Sequence, residues 1–217
     1  DVFYKRKENV TMKILYGTGN QAKLLDMQQR LCSLRNKIEI VSLADLGGKL
    51  PDVCESGRTP LENARLKAQA YYQAFRMPVF SCDTGLYFDD VPEEIQPGVH
   101  VRRVHGKNLT DQEMLAYYSG LAVTYGGIKA RYKNAACLMI DERRCFAAMT
   151  AAMESREFLL TGTPHRDGIT QEGFPLDCLS VDLRTGSYMN DLPDEAWSLD
   201  KDGMLEFFQG VVEQMQL

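Results

Sequence analysis

The sequence lacks three patterns that would assign it to common protein classes. Its six cysteines include no C-x-x-C pair and its three histidines have no metal-ligand spacing, which argues against a zinc site. No apolar run reaches the roughly 18 residues that a membrane-spanning helix needs. The basic residues 5–7 are followed by polar residues rather than by a hydrophobic segment, so they do not form a secretory signal. These absences predict a reduced, cytoplasmic protein that does not interact with membranes.

A strongly basic composition is also missing. The 217 residues carry a formal net charge of -5 at pH 7, whereas proteins that bind nucleic-acid polymers usually present basic surfaces. A local basic pocket for a small polyanion is compatible with this balance. With 44% hydrophobic residues, the chain can bury a core as one domain or as two close-packed lobes. We expect residues 1–11 to be an extension or residues added for expression, and residues 12–217 to form a single two-lobed domain.

Alternating helical and strand patterns predict an α/β fold with a mixed sheet. Apolar spacing and helix-start signals predict helices at 21–34, from 59 to about 75, from 110 onward and at 203–216. Two of these starts, at Thr59 with Glu62 and at Thr110 with Glu113, match the capping-box pattern. Strands are predicted at 13–17, 38–43, 78–81, 129–140, 144–154, 156–162 and 176–183. The three histidines (His100, His105 and His165) are expected at the surface or in loops.

The chain opens on a turn suited to binding phosphate. Gly17-Thr18-Gly19-Asn20 connects the first strand to the first helix, and Lys23 lies in the first turn of that helix. Free amides, a positive helix end and an ammonium then converge at one place. The small residues at 17, 19 and 22 also match the looser dinucleotide fingerprint, and Asn20 could serve only as a helix cap. Lys23 favours a polyphosphate, because a dinucleotide fold does not require a lysine there.

Two further groups of residues could carry chemistry. The loop and helix start at 52–67 contain carboxylates, including Asp52 and Glu55, that could bind Mg²⁺, which prefers oxygen ligands. A capping role for Glu62 and a solvated Lys67 are the structural alternatives. The second group is Cys82-Asp83-Thr84-Gly85 at the predicted end of a buried strand, a usual place for catalytic groups in α/β folds. Its alternative is a turn in which Asp83 bonds its own backbone.

Taken together and in order, these motifs resemble the inosine/xanthosine triphosphate pyrophosphatase family. No single motif is specific to that family, whereas their order and spacing are. The matches span about 12–131 and comprise Thr18-Gly19-Asn20, Lys23, Asp26, Leu50-Pro51-Asp52, Glu55-Ser56-Gly57, Thr59, Glu62-Asn63-Ala64, Lys67-Ala68, Asp83-Thr84-Gly85-Leu86, Pro97-Gly98, Arg103 and Thr110-Asp111.

The resemblance implies an elongated, two-lobed α/β fold with a mixed sheet and a central cleft, usually assembled as a homodimer. It implies Mg²⁺-dependent hydrolysis of nucleoside triphosphates, chiefly deaminated purines such as ITP, dITP and XTP, to monophosphate and pyrophosphate. Carried over by position, the phosphate-binding residues would be Thr18, Gly19, Asn20, Lys23, Lys67 and Thr84. Asp83 would be the catalytic carboxylate beside Mg²⁺ and the attacking water, with Glu55 and Asp52 as the other available metal ligands.

The sequence departs from this family in two regions. Cysteines stand at 54 and 82, where the family usually has acidic residues, and a hard cation gains little from a thiol. The base-binding stretch here reads Gly173-Phe174-Pro175-Leu176-Asp177-Cys178, which keeps Phe174 and Asp177 but lacks the family's second glycine and aromatic residue. The lysine and the His-Arg pair that follow in the family fall by position on Ala196, Lys201 and Asp202. The remaining candidate base-binding residues are therefore Phe174, Asp177 and Lys201.

Two alternatives to this enzyme stay open at the level of sequence. One is a catalytically weakened nucleotide- or phosphate-binding protein on the same scaffold, which the two cysteines favour. The other is a dinucleotide-dependent oxidoreductase, which only the small-residue triplet supports. The pyrophosphatase hypothesis predicts that Asp83→Asn abolishes Mg²⁺-dependent release of pyrophosphate and leaves the fold intact.

Overall fold

The computed structural model describes residues 11–47, 49, 51–193 and 202–217. These residues form nine strands, listed here in chain order: β1 (Met12–Tyr16), β2 (Ile38–Val41), β3 (Val79–Phe88), β4 (Arg103–Val104), β5 (Lys107–Asn108), β6 (Ile128–Met139), β7 (Cys145–Ala148), β8 (Phe158–Leu160) and β9 (Ser180–Asp182). They also form five α-helices: α1 (Gln21–Arg30), α2 (Leu43–Leu46), α3 (Pro60–Phe75), α4 (Asp111–Tyr125) and α5 (Gly203–Met215). No helix in this part of the chain is long and apolar enough to cross a membrane.

Seven of the described strands form a mixed sheet, as the α/β pattern predicts. Its strand order is β2-β1-β3-β6-β8-β9, with β7 paired to β6, and β4 and β5 form a separate small hairpin. The chain divides into two compact units. Unit 1 comprises the described residues up to Asp83 with Ala135–Ala152 and Asp202–Leu217, and unit 2 comprises Thr84–Asn134 and the described residues from Met153 to 193.

Unit 1 is built on parallel strand pairing. β1 runs parallel to β2, with Ile14 opposite Ile40, and parallel to the start of β3, with Tyr16 opposite Phe80. The Tyr16 and Phe80 rings stack with centroids 4.3 Å apart, and Phe208 of α5 meets Phe80 edge-on at 5.0 Å. Ile14, Leu15, Val79 and Phe80 of these strands are fully buried, as expected where helices cover a parallel sheet. Lys13 and Glu39, in contrast, are exposed, and Nζ of Lys13 lies 3.6 Å from Oε1 of Glu39.

Unit 2 is built on antiparallel pairing. β6 pairs with β8, and β8 pairs with β9. Its core contains Leu86, Tyr118, Ile128, Phe158 and Leu160, each at most 2% exposed. Helix α4 covers this core through Tyr118, whose hydroxyl donates to the Val101 carbonyl at 2.7 Å. The inward-facing strand residues and the buried stripe of α4 (Met114, Tyr118 and Ala122) therefore account for the second core.

The predicted helix starts are observed, with one difference in detail. Thr110 and Glu113 form the complete reciprocal capping box. Thr59 accepts from the Glu62 amide, but the Glu62 carboxylate accepts from the amide of Arg58 rather than from that of Thr59. The capping box predicted at Thr59 is therefore only half correct, because the preceding residue supplies the second donor.

Several predicted boundaries are wrong. The third strand continues to Phe88 instead of ending at Ser81, because its second half faces β6, with the Asp89 amide bonded to the Lys129 carbonyl at 2.9 Å. The turn alternative for Asp83 is therefore also wrong, since this residue lies inside a strand. The helix predicted to reach residue 34 ends at Arg30 and is followed by a 3-10 turn.

The later half of the chain contains less strand than its composition suggests. The run predicted as a strand over 144–154 is extended only in β7 and then forms a 3-10 turn at Ala151–Met153. The run over 176–183 begins with a 3-10 turn at Asp177–Leu179 before β9. His165, expected at the surface or in a loop, lies in a loop, but its side chain is only 5% exposed and its Nε2 lies 3.1 Å from Oδ1 of Asp191. The domain bounds, the elongated shape and the cleft stay predictions, and most of the predicted extension (1–10) lies outside the described residues.

Candidate active site

A buried ion pair forms the centre of the candidate site. The Lys67 ammonium of α3 lies 2.6 Å from Oδ1 of Asp83 in β3 and 3.3 Å from Oε2 of Glu55. The side chains of Lys67 and Asp83 are 11% and 12% exposed. The structural alternative of a solvated Lys67 is therefore wrong, and three residues singled out from the sequence lie together.

The electrostatics of this group keep Lys67 charged. Burial by itself lowers the pKa of the Lys67 ammonium, but the Asp83 and Glu55 carboxylates outweigh burial, so the pKa is raised above its ordinary value. One ammonium held between two carboxylates gives a local charge of -1. This group can therefore accept further positive charge without losing its own cation.

Asn63 ties this ion pair to the preceding loop. Its Nδ2 donates to Oδ2 of Asp83 at 3.1 Å, and its Oδ1 accepts from the Gly57 amide at 2.8 Å. Asn63 is 2% exposed, and both ends of its amide have partners. A Cβ atom on Gly57 would lie 2.6 Å from Asn63 Oδ1, so only glycine lets the loop approach this closely. Both residues belong to the motifs noted in the sequence, but no local pattern indicated that Asn63 would join Gly57 to Asp83.

The turn that begins at Gly17 packs against α3, the helix that also carries Asn63 and Lys67. The Gly17 amide donates to the Phe80 carbonyl at 2.8 Å, and a Cβ atom on Gly17 would lie 2.3 Å from Cδ2 of Tyr71. Tyr71 stands one helical turn after Lys67 in α3. From its spacing Tyr71 was expected only as a core residue, so its role in seating the turn was missed.

The turn itself presents a helix N-terminus. The Asn20 side chain caps α1 by accepting from the Lys23 amide at 3.1 Å, and Thr18 Oγ1 accepts from the Asn20 amide at 3.1 Å. The amides at the start of α1 have no acceptor within the helix, as at any helix N-terminus. A Cβ atom on Gly19 would meet nothing within 4 Å, and the exposed Lys23 forms no ion pair with any described residue. This end of unit 1 combines a positive helix end with a lysine that no described carboxylate neutralises.

Cys82 lies next to Asp83 but in a different environment. Burial, above all, raises the pKa of its thiol to about 11, although the Tyr16 hydroxyl is hydrogen-bonded to its sulfur. The thiol is therefore neutral near pH 7. A neutral thiol is a poor ligand for a hard cation, so Cys82 does not replace a carboxylate.

The described residues of unit 1 do not bring three carboxylates together at one metal site. Asp52 is exposed and takes no part in the network around Lys67. Within the described ranges, no group of three or more His, Cys, Asp and Glu side chains could hold a metal ion. Asp83 and Glu55 remain as two carboxylates that share one ammonium. Two carboxylates fit Mg²⁺, which usually keeps several waters and completes its shell with substrate phosphates.

The candidate base-binding residues that can be described lie in unit 2. Phe174 is 36% exposed, and burial raises the pKa of the Asp177 carboxyl to about 6. Their loop is held by Asp111, whose Oδ2 accepts from the Gly173 amide at 2.7 Å and whose Oδ1 lies 2.7 Å from Arg102. Asp111 was part of the sequence motif, but its contact with this loop was not foreseen.

Three other predicted positions have different outcomes. Thr84, the first residue of unit 2, donates a hydrogen bond from Oγ1 to Oδ1 of Asn134 at 2.7 Å. Asp202 caps α5 by accepting from the amides of Met204 and Leu205, and it pairs with Arg30 at 3.1 Å, which gives it a structural role. Ala196 and Lys201 lie outside the described residues.

Comparisons with known proteins agree on one family. Residues 14–157 match the family model described as the Ham1 family. The chain is 35% identical over 100 residues to a dITP/XTP pyrophosphatase of Oceanobacillus iheyensis, covering 46% of this chain and 49% of that protein. It is 31% identical over 126 residues to one of Lactobacillus acidophilus, covering 58% and 59%. The chain thus spans about half the length of the curated relatives it matches.

Solved structures share the fold over nearly the whole chain. The Staphylococcus aureus Ham1 protein superposes with a TM-score of 0.69 at 19% identity, covering 94% of this chain and 99% of that one. A HAM1 protein from Coxiella burnetii gives a TM-score of 0.67 at 20% identity, covering 95% and 100%. At this identity the likeness establishes the α/β fold and nothing more.

Proposed function

This chain belongs to the Ham1 family, and on that premise we propose that it hydrolyses nucleoside triphosphates to monophosphate and pyrophosphate. The observation that carries the proposal is the network of Lys67, Asp83 and Glu55, held by Asn63 in unit 1. Hydrolysis between the α- and β-phosphates requires neutralisation of phosphate charge and a carboxylate that orients water. The network contains both kinds of group at one place.

In the proposed reaction each residue of the network has one task. Asp83 accepts a hydrogen bond from the attacking water and orients it toward the α-phosphorus. Lys67 offsets the negative charge of the phosphates, and Lys23 with Thr18, Gly19 and Asn20 binds the distal phosphates at the start of α1. Thr84 is proposed as a further contact to the substrate. Asn63 holds the Asp83 carboxylate in one orientation.

The proposed cofactor is Mg²⁺. Glu55 and Asp83 would hold it. Asp52, the third ligand implied by the resemblance, is exposed and lies outside the network around Lys67, so the proposed site does not include it. When bound, Mg²⁺ neutralises charge that develops on the phosphate oxygens. The carboxylate pair supports this proposal, because hard cations prefer oxygen ligands.

The proposed substrates are triphosphates of deaminated purines such as dITP, ITP and XTP. Several relatives are named dITP/XTP pyrophosphatases, and Phe174 and Asp177 remain in the stretch that would contact the base. By the same resemblance we propose a cytoplasmic homodimer that binds neither nucleic-acid polymers nor membranes. The net charge of -5 supports the first of these exclusions.

The decisive experiment measures pyrophosphate released from a panel of standard and deaminated triphosphates with and without Mg²⁺. We expect Mg²⁺-dependent release, fastest with the deaminated purines. Strong turnover of another base would show that the base specificity has changed and the phosphate chemistry has not.

A second candidate function is a nucleotide-binding protein with weakened catalysis. The neutral, buried thiol of Cys82 favours it, because the position contributes no charge to a metal site. Binding of a triphosphate by calorimetry without release of pyrophosphate from any member of the panel would establish this second function and refute the first.

A further inference from the structure

Two of the six cysteines lie close together outside the candidate active site. Sγ of Cys137 and Sγ of Cys145 are 3.4 Å apart. All six cysteines lie in the described ranges, and no other pair of them has its sulfur atoms in contact. The inference rests on the geometry of this pair alone and does not depend on the proposed function.

The β6–β7 hairpin fixes the relative position of the two thiols. Cys137 pairs with Ala147, and Cys145 pairs with Met139, in a regular antiparallel ladder. Cys137 and Cys145 are therefore diagonal neighbours on one face of the sheet, where side chains interact. The ladder continues to the bond between the Ile140 amide and the Arg144 carbonyl at 2.9 Å.

The connecting turn makes this hairpin well defined. Oδ1 of Asp141 accepts from the amides of Arg143 and Arg144, both at 2.9 Å. Oδ2 of Asp141 accepts from Nε of Arg144 at 2.7 Å. A turn held by three hydrogen bonds keeps the register, and with it the distance between the thiols.

The two thiols differ in their access to solvent. Cys145 is exposed on β7, which pairs only with β6 among the described strands. Cys137 is completely buried and packs among the small residues Ala64, Ala68 and Ala135. Burial above all, together with the neighbouring Cys145 thiol, raises the pKa of Cys137. A reagent in solution therefore reaches Cys145 first, with a protonated second thiol beside it.

We propose that Cys137 and Cys145 form an oxidative modification site that takes a hydroperoxide and closes to a disulfide. The Cys145 thiol loses its proton, and the thiolate attacks a peroxide oxygen. The O–O bond breaks, Cys145 becomes a sulfenic acid, and the leaving oxygen takes up one proton and departs as water or alcohol. The Cys137 sulfur then attacks the Cys145 sulfur. The S–O bond breaks, and the hydroxide takes the Cys137 proton and leaves as water. The peroxide gains two electrons, and the two thiols lose two.

The test is peptide mapping of the full chain after treatment with stoichiometric hydrogen peroxide. Remaining thiols are blocked with N-ethylmaleimide, and the protein is cleaved by trypsin without reduction. Trypsin cuts after Lys133, Arg143, Arg144 and Arg156, so the two cysteines fall in separate peptides, 134–143 and 145–156. We expect these two peptides to be joined and to separate on addition of dithiothreitol.

Three variants give the controls. Cys145→Ser loses the joined peptide, whereas Cys32→Ser, which removes another exposed cysteine, leaves its yield unchanged. Cys137→Ala leaves Cys145 without a partner, so its sulfenic acid is trapped by dimedone in higher yield than in the unmodified chain. Circular dichroism checks that each variant is folded.

Two results would overturn the proposal. One is oxidation of Cys32 and Cys54 as fast as Cys145 with no joined peptide. The other is direct conversion of Cys145 to sulfinic acid while Cys137 stays reduced.

Discussion

At the scale of single residues, the ion pair between Lys67 and Asp83 dominates the candidate site. Both side chains are nearly buried, so each charge has lost most of its hydration. Such a pair is retained only when the remaining polar atoms are satisfied, and Asn63 and Glu55 satisfy them here. Removing the Lys67 ammonium would leave an uncompensated buried carboxylate, so the informative change at this site keeps the shape and removes only one charge.

Asp83→Asn is that change. The amide is isosteric with the carboxylate, and Glu55 still faces the Lys67 ammonium, so we expect the fold to persist. The variant loses the negative oxygen proposed to orient water, and we expect the rate of pyrophosphate release to fall by about 10²–10⁴-fold. Release is measured under saturating Mg²⁺ and triphosphate, and the fold by circular dichroism.

Asp52→Asn is the matched control for Asp83→Asn. Asp52 is exposed and lies outside the network, so the change should alter the rate by less than about twofold. A large loss in Asp52→Asn would show that the third carboxylate binds the metal. Undiminished release in Asp83→Asn would contradict the catalytic role assigned to that residue.

At the scale of elements, helix α3 organises unit 1 through one stripe of side chains. Asn63, Lys67 and Tyr71 are spaced four residues apart and so lie on the same face. They contact, in order, the loop at Gly57, the carboxylate of Asp83 and the opening turn at Gly17. One rigid helix therefore sets the positions of three separate segments of the site.

Gly57→Ala tests the contact between this helix and its preceding loop. The added methyl group would lie 2.6 Å from Asn63 Oδ1 and 2.9 Å from the Asn63 amide nitrogen, so helix or loop must shift. We expect the free energy of unfolding in urea to fall by about 1–3 kcal/mol.

Gly19→Ala is the control for this loss of stability, because its methyl group would meet no atom within 4 Å. Its unfolding free energy should stay within about 0.5 kcal/mol of the unmodified protein. Equal losses in the two variants would show that close packing at Gly57 is not the cause.

Helix α4 plays the corresponding part in unit 2 through Asp111 at its first position. Asp111→Ala removes the acceptor of the Gly173 amide and the partner of Arg102, which frees the loop that carries Phe174. If that loop contacts the base, KM for the preferred triphosphate should rise by about tenfold with kcat unchanged.

Asp111→Asn separates the two contacts of Asp111, because its amide oxygen can still accept from Gly173. Its KM should lie between those of Asp111→Ala and the unmodified protein. A fall in kcat at constant KM would contradict a role in positioning the loop.

At the scale of the whole molecule, the candidate residues divide between the two units. The ion-pair network and the start of α1 belong to unit 1, whereas Thr84, Phe174 and Asp177 belong to unit 2. Each unit has its own core, so substitutions can be assigned to one of them. The dependence of the unfolding free energy on pH is a property of the whole chain, and we expect Asp177 of unit 2 to influence it.

Asp177→Asn is predicted to change the dependence of stability on pH. Burial raises the Asp177 pKa from 3.8 to about 6 in the folded protein, so the folded state holds this proton more tightly than the unfolded state. Its contribution to stability is therefore complete below about pH 3.8 and is lost as the pH rises through about 6.

The measurement is urea unfolding of both proteins at several pH values. Above pH 6 the variant should be the more stable, because its amide carries no charge to bury, and the difference should shrink as the pH falls toward 4. A difference that does not depend on pH would contradict the raised pKa of Asp177.

Several features of the site could be predicted from sequence because they depend on local chemistry. Asn20, Thr59 and Thr110 cap helices through hydroxyl or amide side chains a few residues from their partners. The convergence of Lys67 and Asp83 followed from the resemblance rather than from any local pattern. The extension of β3 past Ser81 could not be predicted, because its second half is stabilised by β6, which begins 40 positions after β3 ends at Phe88.

The sequence by itself determined the α/β class, the helix starts and the identity of the charged groups, since these follow from side-chain chemistry and short-range periodicity. Only the tertiary structure decided which of those groups meet. It brought Gly57 to Asn63 and Asn63 to Asp83, left Asp52 in solvent, made Asp202 a helix cap and placed Cys137 against Cys145. The physical reason is that these contacts depend on strand pairing and on helix packing between distant segments, which local spacing does not encode.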